Sequence, residues 1–345
     1  MSSNSRLFAY LDNLDNLKDI IILGITMVKA ASFNIGGHIT LFFTIEKEGR
    51  LLRNQGSRGV GFNVTHGVKV SISERLETTE IEVLDWQNNP IKNDFTLYHD
   101  LIDELRYSRL LPKDICYHLK IKLDLPTSQG FGMSAAGLVA VGLCFRELTK
   151  LGNRDQYFRI AHRIERLHGS GLGDVLGIFA GGVEIRLQPG APGASGRSLG
   201  FACNQPILLV WKQDEPRHTS SYIDDENWSD KITKSGFSAI KQFIDEPWNH
   251  KQWNSILTKS RDFSANSELI HEPERKELLD TARSIVRELE LQELVSIRLC
   301  MLGISIAILP RKLTRKLTES ELSNLEKSFT EKNLGCKITN ISDSV

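Results

Sequence analysis

Residues 117–136 read YHLKIKLDLPTSQGFGMSAA, and this stretch decides the fold prediction. The alternation of apolar and polar residues up to Leu125 predicts a strand that ends at Pro126. A loop with two glycines follows, and the apolar segment 134–148 predicts a helix. Glycines let a backbone approach a phosphate closely, and a helix N-terminus attracts an anion. The order of strand, glycine loop and helix therefore indicates a phosphate site.

The loop also has a simpler interpretation, a tight turn in which Ser134 caps the helix. Two common nucleotide-binding motifs do not fit it. A Walker loop needs a lysine beside its Ser or Thr, and Met133 stands there instead. A Rossmann loop needs an acidic residue about 20 residues further on, at the end of the next strand, whereas Glu147 lies within the predicted helix.

Helices and strands alternate irregularly on both sides of the loop, which predicts an α+β class. Strands are predicted at 183–187 and 207–211, on either side of Gly303 and at the C-terminal end; helices are predicted at 95–111, 155–167, between 234 and 291, and at 319–332. Residues 188–200, QPGAPGASGRSLG, predict an exposed loop or a domain boundary. We expect a helical extension at 1–25, an N-terminal domain at 26–200 and a C-terminal domain at 201–345.

Composition limits the function classes. The 345 residues carry 43 Lys and Arg against 43 Asp and Glu, so no net charge attracts nucleic acid or an anionic membrane. The longest apolar run near the start, residues 20–28, is about half of the roughly 20 residues that span a bilayer. Five widely spaced cysteines without a C-x-x-C pair argue against a zinc site or a disulfide framework. We expect a cytoplasmic protein without a signal peptide or a membrane span.

A second motif follows the loop: residues 165–174 read ERLHGSGLGD. Phosphoryl transfer needs a metal ion that neutralises phosphate charge and a carboxylate that orients the attacking hydroxyl. Glu165 is a candidate for the first role and Asp174 for the second. The alternatives are that Glu165 is a solvated helix charge and that Asp174 caps the next helix.

The loop and the acidic pair together resemble the GHMP kinases, a family of small-molecule kinases. The resemblance implies a two-domain α+β fold, with an N-terminal domain like ribosomal protein S5 and a C-terminal ferredoxin-like α/β sandwich. It implies ATP and Mg²⁺ as cofactors, with Asp174 as the catalytic base and Ser134 and Glu165 as metal ligands. The residues it implies for ATP binding are Pro126, Gly130, Gly132, Ser134 and Ala135. Met133 departs from the family pattern, which has a serine there.

Three further segments are similar to the pantoate kinases of archaea within this family: SFNIGGHITLFF (32–43), GSRGVGF (56–62) and PGAPG (189–193). The resemblance implies phosphorylation of (R)-pantoate to (R)-4-phosphopantoate in coenzyme A biosynthesis. The substrate-binding residues that we expect are Ser57, Arg58, His162, Arg186 and Thr219. An arginine suits the substrate carboxylate because the two form parallel hydrogen bonds. Alternatively, Arg186 belongs to a surface ion pair and His162 is a structural helix histidine. His38 lies near the expected cleft without an assigned role.

Two other functions stay open at this point. One is a related kinase for another small alcohol, such as homoserine or mevalonate. The other is a catalytically silent family member, which Met133 and the single glycine of the late segment 300–303 favour. The expected partners are a small-molecule substrate and ATP, with a possible homodimer and without nucleic acid or membrane.

Overall fold

The computed structural model describes residues 21–23, 26–92, 95–213 and 220–342. The strands are β1 (Ile21–Leu23), β2 (Thr26–Val28), β3 (Ala30–Phe43), β4 (Gly59–Arg75), β5 (Glu80–Leu84), β6 (Cys116–Leu123), β7 (Val183–Gln188), β8 (Arg197–Phe201), β9 (Pro206–Lys212), β10 (Val295–Leu299), β11 (Ser305–Pro310) and β12 (Leu334–Asn340). The helices are α1 (Thr96–Tyr107), α2 (Met133–Thr149), α3 (Arg154–Leu167), α4 (Asp174–Ala180), α5 (Ser220–Ile223), α6 (Glu226–Ile240), α7 (Trp253–Asn266), α8 (Pro273–Glu288) and α9 (Glu319–Thr330).

The larger sheet is built around β4. This strand pairs along its length with β3, with β7 through its first residues and with β6 through its second half. Strands β5 and β8 complete the sheet in the order β5-β6-β4-β7-β8. The alternating burial of β6 confirms its alternating sequence, since Tyr117, Leu119, Ile121 and Leu123 face the core.

Helix α2 is the central helix of the N-terminal half. It is buried on nearly all sides, from Ala135 through Phe145, and it packs against β3, β4 and α3. A helix that is apolar all round is buried in a core, so its sequence already specifies this position. The packing fixes the N-terminus of α2, and with it the glycine loop, above the sheet.

The smaller sheet is antiparallel, in the order β10-β11-β9-β12, and helices α8 and α9 pack against it. Bridges join it to β3 and β4, between Thr40 and Met301 and between Val64 and Ile341. Sheet membership changes between β8 and β9, near the expected boundary at residue 200. The division into two domains stays a prediction.

Two local expectations need correction. Residues 188–200 are not wholly a loop, because the backbone of Ser198–Gly200 pairs with Glu184–Arg186 and so forms β8. Residues 21–23 form a strand that pairs with β2, whereas we expected a helical extension over 1–25. Two isoleucines in this run favour a strand. The rest of that extension lies outside the described residues. In the described part of the chain, no helix is long and apolar enough to cross a membrane.

Candidate active site

One cleft of about 210 Å³ collects most of the predicted site residues. It lies between the glycine loop, the segment 168–174 before α4, and the segment 301–302 before β11. The predicted residues that line it are Ser57, Pro126, Gly130, Gly132, Ser134, Ala135 and Asp174. Residues as far apart in sequence as Thr40 and Leu302 therefore meet at the N-terminus of α2.

The start of α2 differs from the capped turn that was the simpler interpretation. The N-cap residue is Gly132, which has a left-handed φ of 65°, and no side chain caps the helix. Ser134 lies within the first turn and its side chain faces the cleft region. The first backbone N–H groups of a helix have no partner inside the helix, so an anion can accept hydrogen bonds from them.

The C-terminal half supports this loop directly. A Cβ atom on Gly303 would overlap the backbone of Gln129, so the two chain segments touch at that point. The hydroxyl of Ser305 donates a hydrogen bond of 2.5 Å to the carbonyl of Gln129. Gly303 therefore supports the glycine loop rather than lining the cleft.

A buried histidine that the sequence left without a role contacts Asp174. His38 Nδ1 lies 2.7 Å from Asp174 Oδ1, and His38 Nε2 lies 3.0 Å from Glu184 Oε1. Burial lowers the pKa of His38, but hydrogen bonds to the two carboxylates outweigh it and hold this pKa above its usual value. Both ring nitrogens of a protonated histidine are donors, which fits two carboxylate acceptors. His38 and Thr40 are two residues apart on one strand, so their side chains share a face of the sheet. Since Thr40 lines the cleft, this spacing was the sequence signal that could have placed His38 beside it.

Asp174 is the first residue of α4, whose N-cap is Gly173, so the alternative in which Asp174 caps this helix is wrong. Burial raises the pKa of Asp174, but the hydrogen bond and the charge of His38 outweigh burial and hold that pKa below its usual value. The side chain keeps 26% of its surface exposed, and it lines the cleft. Asp174 is therefore an ionised carboxylate that a ligand can reach.

Glu165 is buried rather than solvated, with 1% of its surface exposed. A Cβ atom on Gly171 would overlap Glu165 Oε1 and lie 3.1 Å from Asp174 Oδ2, so the two carboxyl groups flank Gly171. Burial, followed by the charge of Asp174, raises the pKa of Glu165 to about 8. Its Oε2 atom has no hydrogen-bond partner among the described residues.

These features fit a magnesium ion. A buried carboxyl group without a partner for one oxygen needs a positive charge when it ionises, and Mg²⁺ prefers oxygen ligands. Ser134 would supply a hydroxyl oxygen and Glu165 a carboxylate oxygen. In the described part of the chain, no three His, Cys, Asp or Glu side chains form a metal site by themselves. Substrate phosphates and water would complete such a site, as is usual for Mg²⁺.

Arg186 is fully buried, which excludes the surface ion pair. Its Nη1 donates to Thr40 Oγ1 and to the carbonyl of Gly173, each at 3.2 Å, and both of these residues line the cleft. Nε and Nη2 have no hydrogen-bond partner among the described residues. The guanidinium group therefore lies directly behind the cleft wall, with donor capacity left over.

Two predicted substrate residues, Arg58 and His162, are not brought to the cleft. Arg58 instead forms an ion pair with Glu46 of the neighbouring loop, at 2.8 Å. His162 is buried with Nε2 3.3 Å from the carbonyl of Leu52, and burial lowers its pKa to about 4. These contacts favour a structural role for His162. Thr219 lies outside the described residues.

Comparisons with known proteins agree with this geometry. Residues 99–182 match the model of the GHMP kinases N terminal domain. The chain is 28% identical over 239 residues to a pantoate kinase of Thermococcus kodakarensis, covering 68% of this chain and 75% of that one. It is 29% identical over 243 residues to a pantoate kinase of Methanospirillum hungatei, covering 68% of this chain and 74% of that one.

The fold has solved counterparts. A structure titled "Phosphotransferase related to CoA biosynthesis pathway" aligns with a TM-score of 0.70 at 24% identity, over 91% of this chain and 97% of that one. In this fold, the glycine loop opens helix α2 and lines the cleft. Residues 99–182 are thus similar to the GHMP kinases, and the predicted α+β class of fold is confirmed by the alignment with this structure.

Proposed function

We propose that the protein is a pantoate kinase, which transfers the γ-phosphoryl group of ATP to the carbon-4 hydroxyl of (R)-pantoate in coenzyme A biosynthesis. Two relatives with that name, each aligned over about two thirds of this chain, support the substrate. The observation that carries the reaction class is the shared cleft. It joins an ionised Asp174, the Ser134 hydroxyl and the open N-terminus of α2.

The glycine loop is proposed to bind the phosphates of ATP. The N–H groups at the start of α2 and the positive end of its dipole would stabilise negative charge there. Mg²⁺, held through Ser134 and Glu165, would neutralise charge on the transferred phosphoryl group. Pro126, Gly130, Gly132 and Ala135 shape the backbone around this position.

Asp174 is proposed to orient the attacking hydroxyl. Its lowered pKa makes it a weak base, but an ionised carboxylate accepts a hydrogen bond from an alcohol at neutral pH. Phosphoryl transfer passes through a loose transition state in which little negative charge builds up on the nucleophile before the bond forms. Positioning followed by late proton acceptance therefore suits Asp174 better than early deprotonation.

The substrate end of the cleft fits a small branched hydroxy acid. Phe43, Leu172 and Ile223 line the cleft and supply apolar surface for a gem-dimethyl carbon. Ser57 lines it with a hydroxyl group. Glu184 already lies 3.6 Å from Arg186 Nη1 and balances part of its buried charge. A substrate carboxylate would instead use the Nε and Nη2 donors that have no partner among the described residues. The roles of Arg58, His162 and Thr219 in substrate binding stay predictions.

We also propose a cytoplasmic location. All five cysteines are free thiols, and Cys144, Cys203 and Cys300 are buried. Unpaired cysteines are typical of a reducing compartment.

The deciding experiment measures ADP release from MgATP with (R)-pantoate, homoserine and mevalonate in parallel, and locates the product phosphate by phosphorus NMR. Turnover with pantoate alone, at carbon 4, supports the proposal. Turnover with another alcohol would support a kinase activity but contradict pantoate as the substrate. No turnover with any of them, from folded protein, favours the catalytically silent member.

A further inference from the structure

A second cavity, of about 540 Å³, lies in the C-terminal half between α7, α8 and the edge strand β10. We call it the arginine groove. Among the described residues it shares no lining residue with the cleft, and no acidic residue lines it. The arginines that line it are Arg261, Arg283, Arg287, Arg298 and Arg311. Five positive charges therefore surround a space that the kinase reaction does not use.

Two of these arginines are held in place by backbone carbonyls. Arg298 Nε donates to Leu257 at 2.7 Å, and Arg311 Nε donates to Val295 at 3.1 Å. Arg298 Nη1 also donates to the carbonyl of Ile297 at 2.6 Å. An arginine has five N–H donors, so these bonds fix the two groups and leave donors for a ligand. The groove thus holds oriented guanidinium groups rather than freely moving side chains.

The positive charge of the groove is only partly compensated. Arg261 pairs with Asp262 at 3.1 Å, Arg283 with Asp280 at 2.8 Å and Arg311 with Glu293 at 3.9 Å. None of these carboxylates lines the groove. Neither Arg287 nor Arg298 forms an ion pair with a residue that the structure describes.

Arg298 is held in an environment that disfavours its positive charge. Burial, followed by the positive charges of Arg261 and Arg311, lowers the pKa of Arg298 to about 10, although the charge of Asp262 opposes this shift. Like charges in one partly desolvated space repel each other, and a bound anion removes that repulsion. In a chain with equal numbers of acidic and basic residues, an acid-free groove of this size is not a result of overall composition.

We propose that the arginine groove binds a small polyanion, a molecule with at least two phosphate or carboxylate groups. Guanidinium groups form paired hydrogen bonds with both kinds of anion. Leu257, Ile270 and Leu279 also line the groove and would contact an apolar part of the ligand. The groove is a binding site separate from the cleft, and it does not depend on which alcohol the kinase phosphorylates.

The test is equilibrium dialysis with radiolabelled inorganic pyrophosphate, on protein whose cleft is first saturated with Mg²⁺ and a nonhydrolysable ATP analogue. Wild type is compared with the double variant R261Q/R287Q. Both side chains are exposed and neither donates to the backbone, so the fold should persist; circular dichroism checks this. Loss of two charge-assisted contacts should weaken pyrophosphate binding by about tenfold or more.

The matched control is R75Q/R315Q. Arg75 and Arg315 are arginines outside the groove with 37% and 43% of their side chains exposed, and the variant removes the same net charge. Unchanged binding in this control, with loss in R261Q/R287Q, supports the proposal. Equal weakening of pyrophosphate binding in both variants would show that the overall charge of the protein causes the effect, and it would overturn the proposal. Unchanged binding in R261Q/R287Q, or no saturable binding to wild type, would each overturn it.

Discussion

His38 and Asp174 are joined by a hydrogen bond of 2.7 Å across 136 positions of sequence, and the histidine side chain is fully buried. The other ring nitrogen of His38 contacts Glu184, also fully buried. The histidine therefore bridges a carboxylate in the cleft to one in the core. Through this bridge, the packing of β7 against β4 helps to determine the position and the charge of Asp174.

Asp174→Asn should abolish turnover while the protein stays folded. The amide keeps the shape of the side chain but cannot accept a proton, and such groups typically contribute about 10²–10⁴-fold to rate. The measurement is kcat with MgATP and pantoate, beside a thermal unfolding curve. Turnover close to wild type would exclude Asp174 from the reaction.

His38→Gln should lower kcat by about tenfold to 100-fold through misplacement of Asp174. It should also raise the pKa of Asp174, because burial is then opposed only by the charge of Arg186 and the hydrogen bond of Thr40. The acidic limb of the kcat–pH profile should move to higher pH. His66→Gln is the control, since His66 bonds to Thr339 outside the cleft. Equal losses in both variants, or an unshifted acidic limb, would contradict the bridge.

Glu165→Gln should change how stability depends on pH in the absence of magnesium. The pKa of Glu165 is about 8 in the folded protein and near its ordinary 4.5 in the unfolded chain. The folded protein thus holds the extra proton, and wild type loses stability as pH rises through that window. Glutamine cannot ionise, so the variant does not lose stability in this way. The free energy of unfolding of the variant should therefore exceed that of wild type by an amount that grows with pH to about 1–3 kcal/mol.

Urea unfolding at several pH values measures this difference, with Glu147→Gln as the control for an exposed carboxylate. A free-energy difference that stays constant across the window would show that Glu165 ionises normally. Glu165→Gln should in addition raise the Mg²⁺ concentration needed for half-maximal turnover, which loss of a merely structural carboxyl would not do.

Gly132→Ala should raise KM for MgATP and destabilise the protein. The alanine would need a left-handed φ, and its Cβ would lie 3.0–3.1 Å from backbone atoms of His38. Gly152→Ala is a close control, because Gly152 has the same left-handed φ of 65° and does not line the cleft; its added Cβ would meet the Leu110 side chain instead. Backbone strain of about 1–2 kcal/mol should appear in both variants. A rise in KM should appear only at Gly132.

The fold was largely predictable from local patterns. The alternation in β6, the apolar α2 and the proline and glycine punctuation around them gave these elements to within a few residues. The glycine loop and Asp174 could be identified because each lies within a short, continuous sequence motif. Residues 21–23 were not found as a strand, because a short apolar run fits either kind of element.

The buried residues behind the cleft wall could not be predicted in the same way. That His38 bridges Asp174 and Glu184 follows from the pairing of β4 with β3 and β7. Burial of Arg186 and Glu165 likewise depends on tertiary packing, and sequence alone could not separate buried from surface charges. The arginine groove joins residues from α7, α8, β10 and the end of β11, which no single motif connects.

The contact between Gly303 and Gln129 means that the glycine loop is assembled by both halves of the chain. Ser305 adds a hydrogen bond to the same carbonyl, and Met301 and Leu302 complete the wall of the cleft. A fragment that stops after β8 would retain the whole glycine-loop sequence yet lack the surface that shapes it. The shape of the glycine loop thus depends on both halves of the chain, and a change in either half at this contact would alter it.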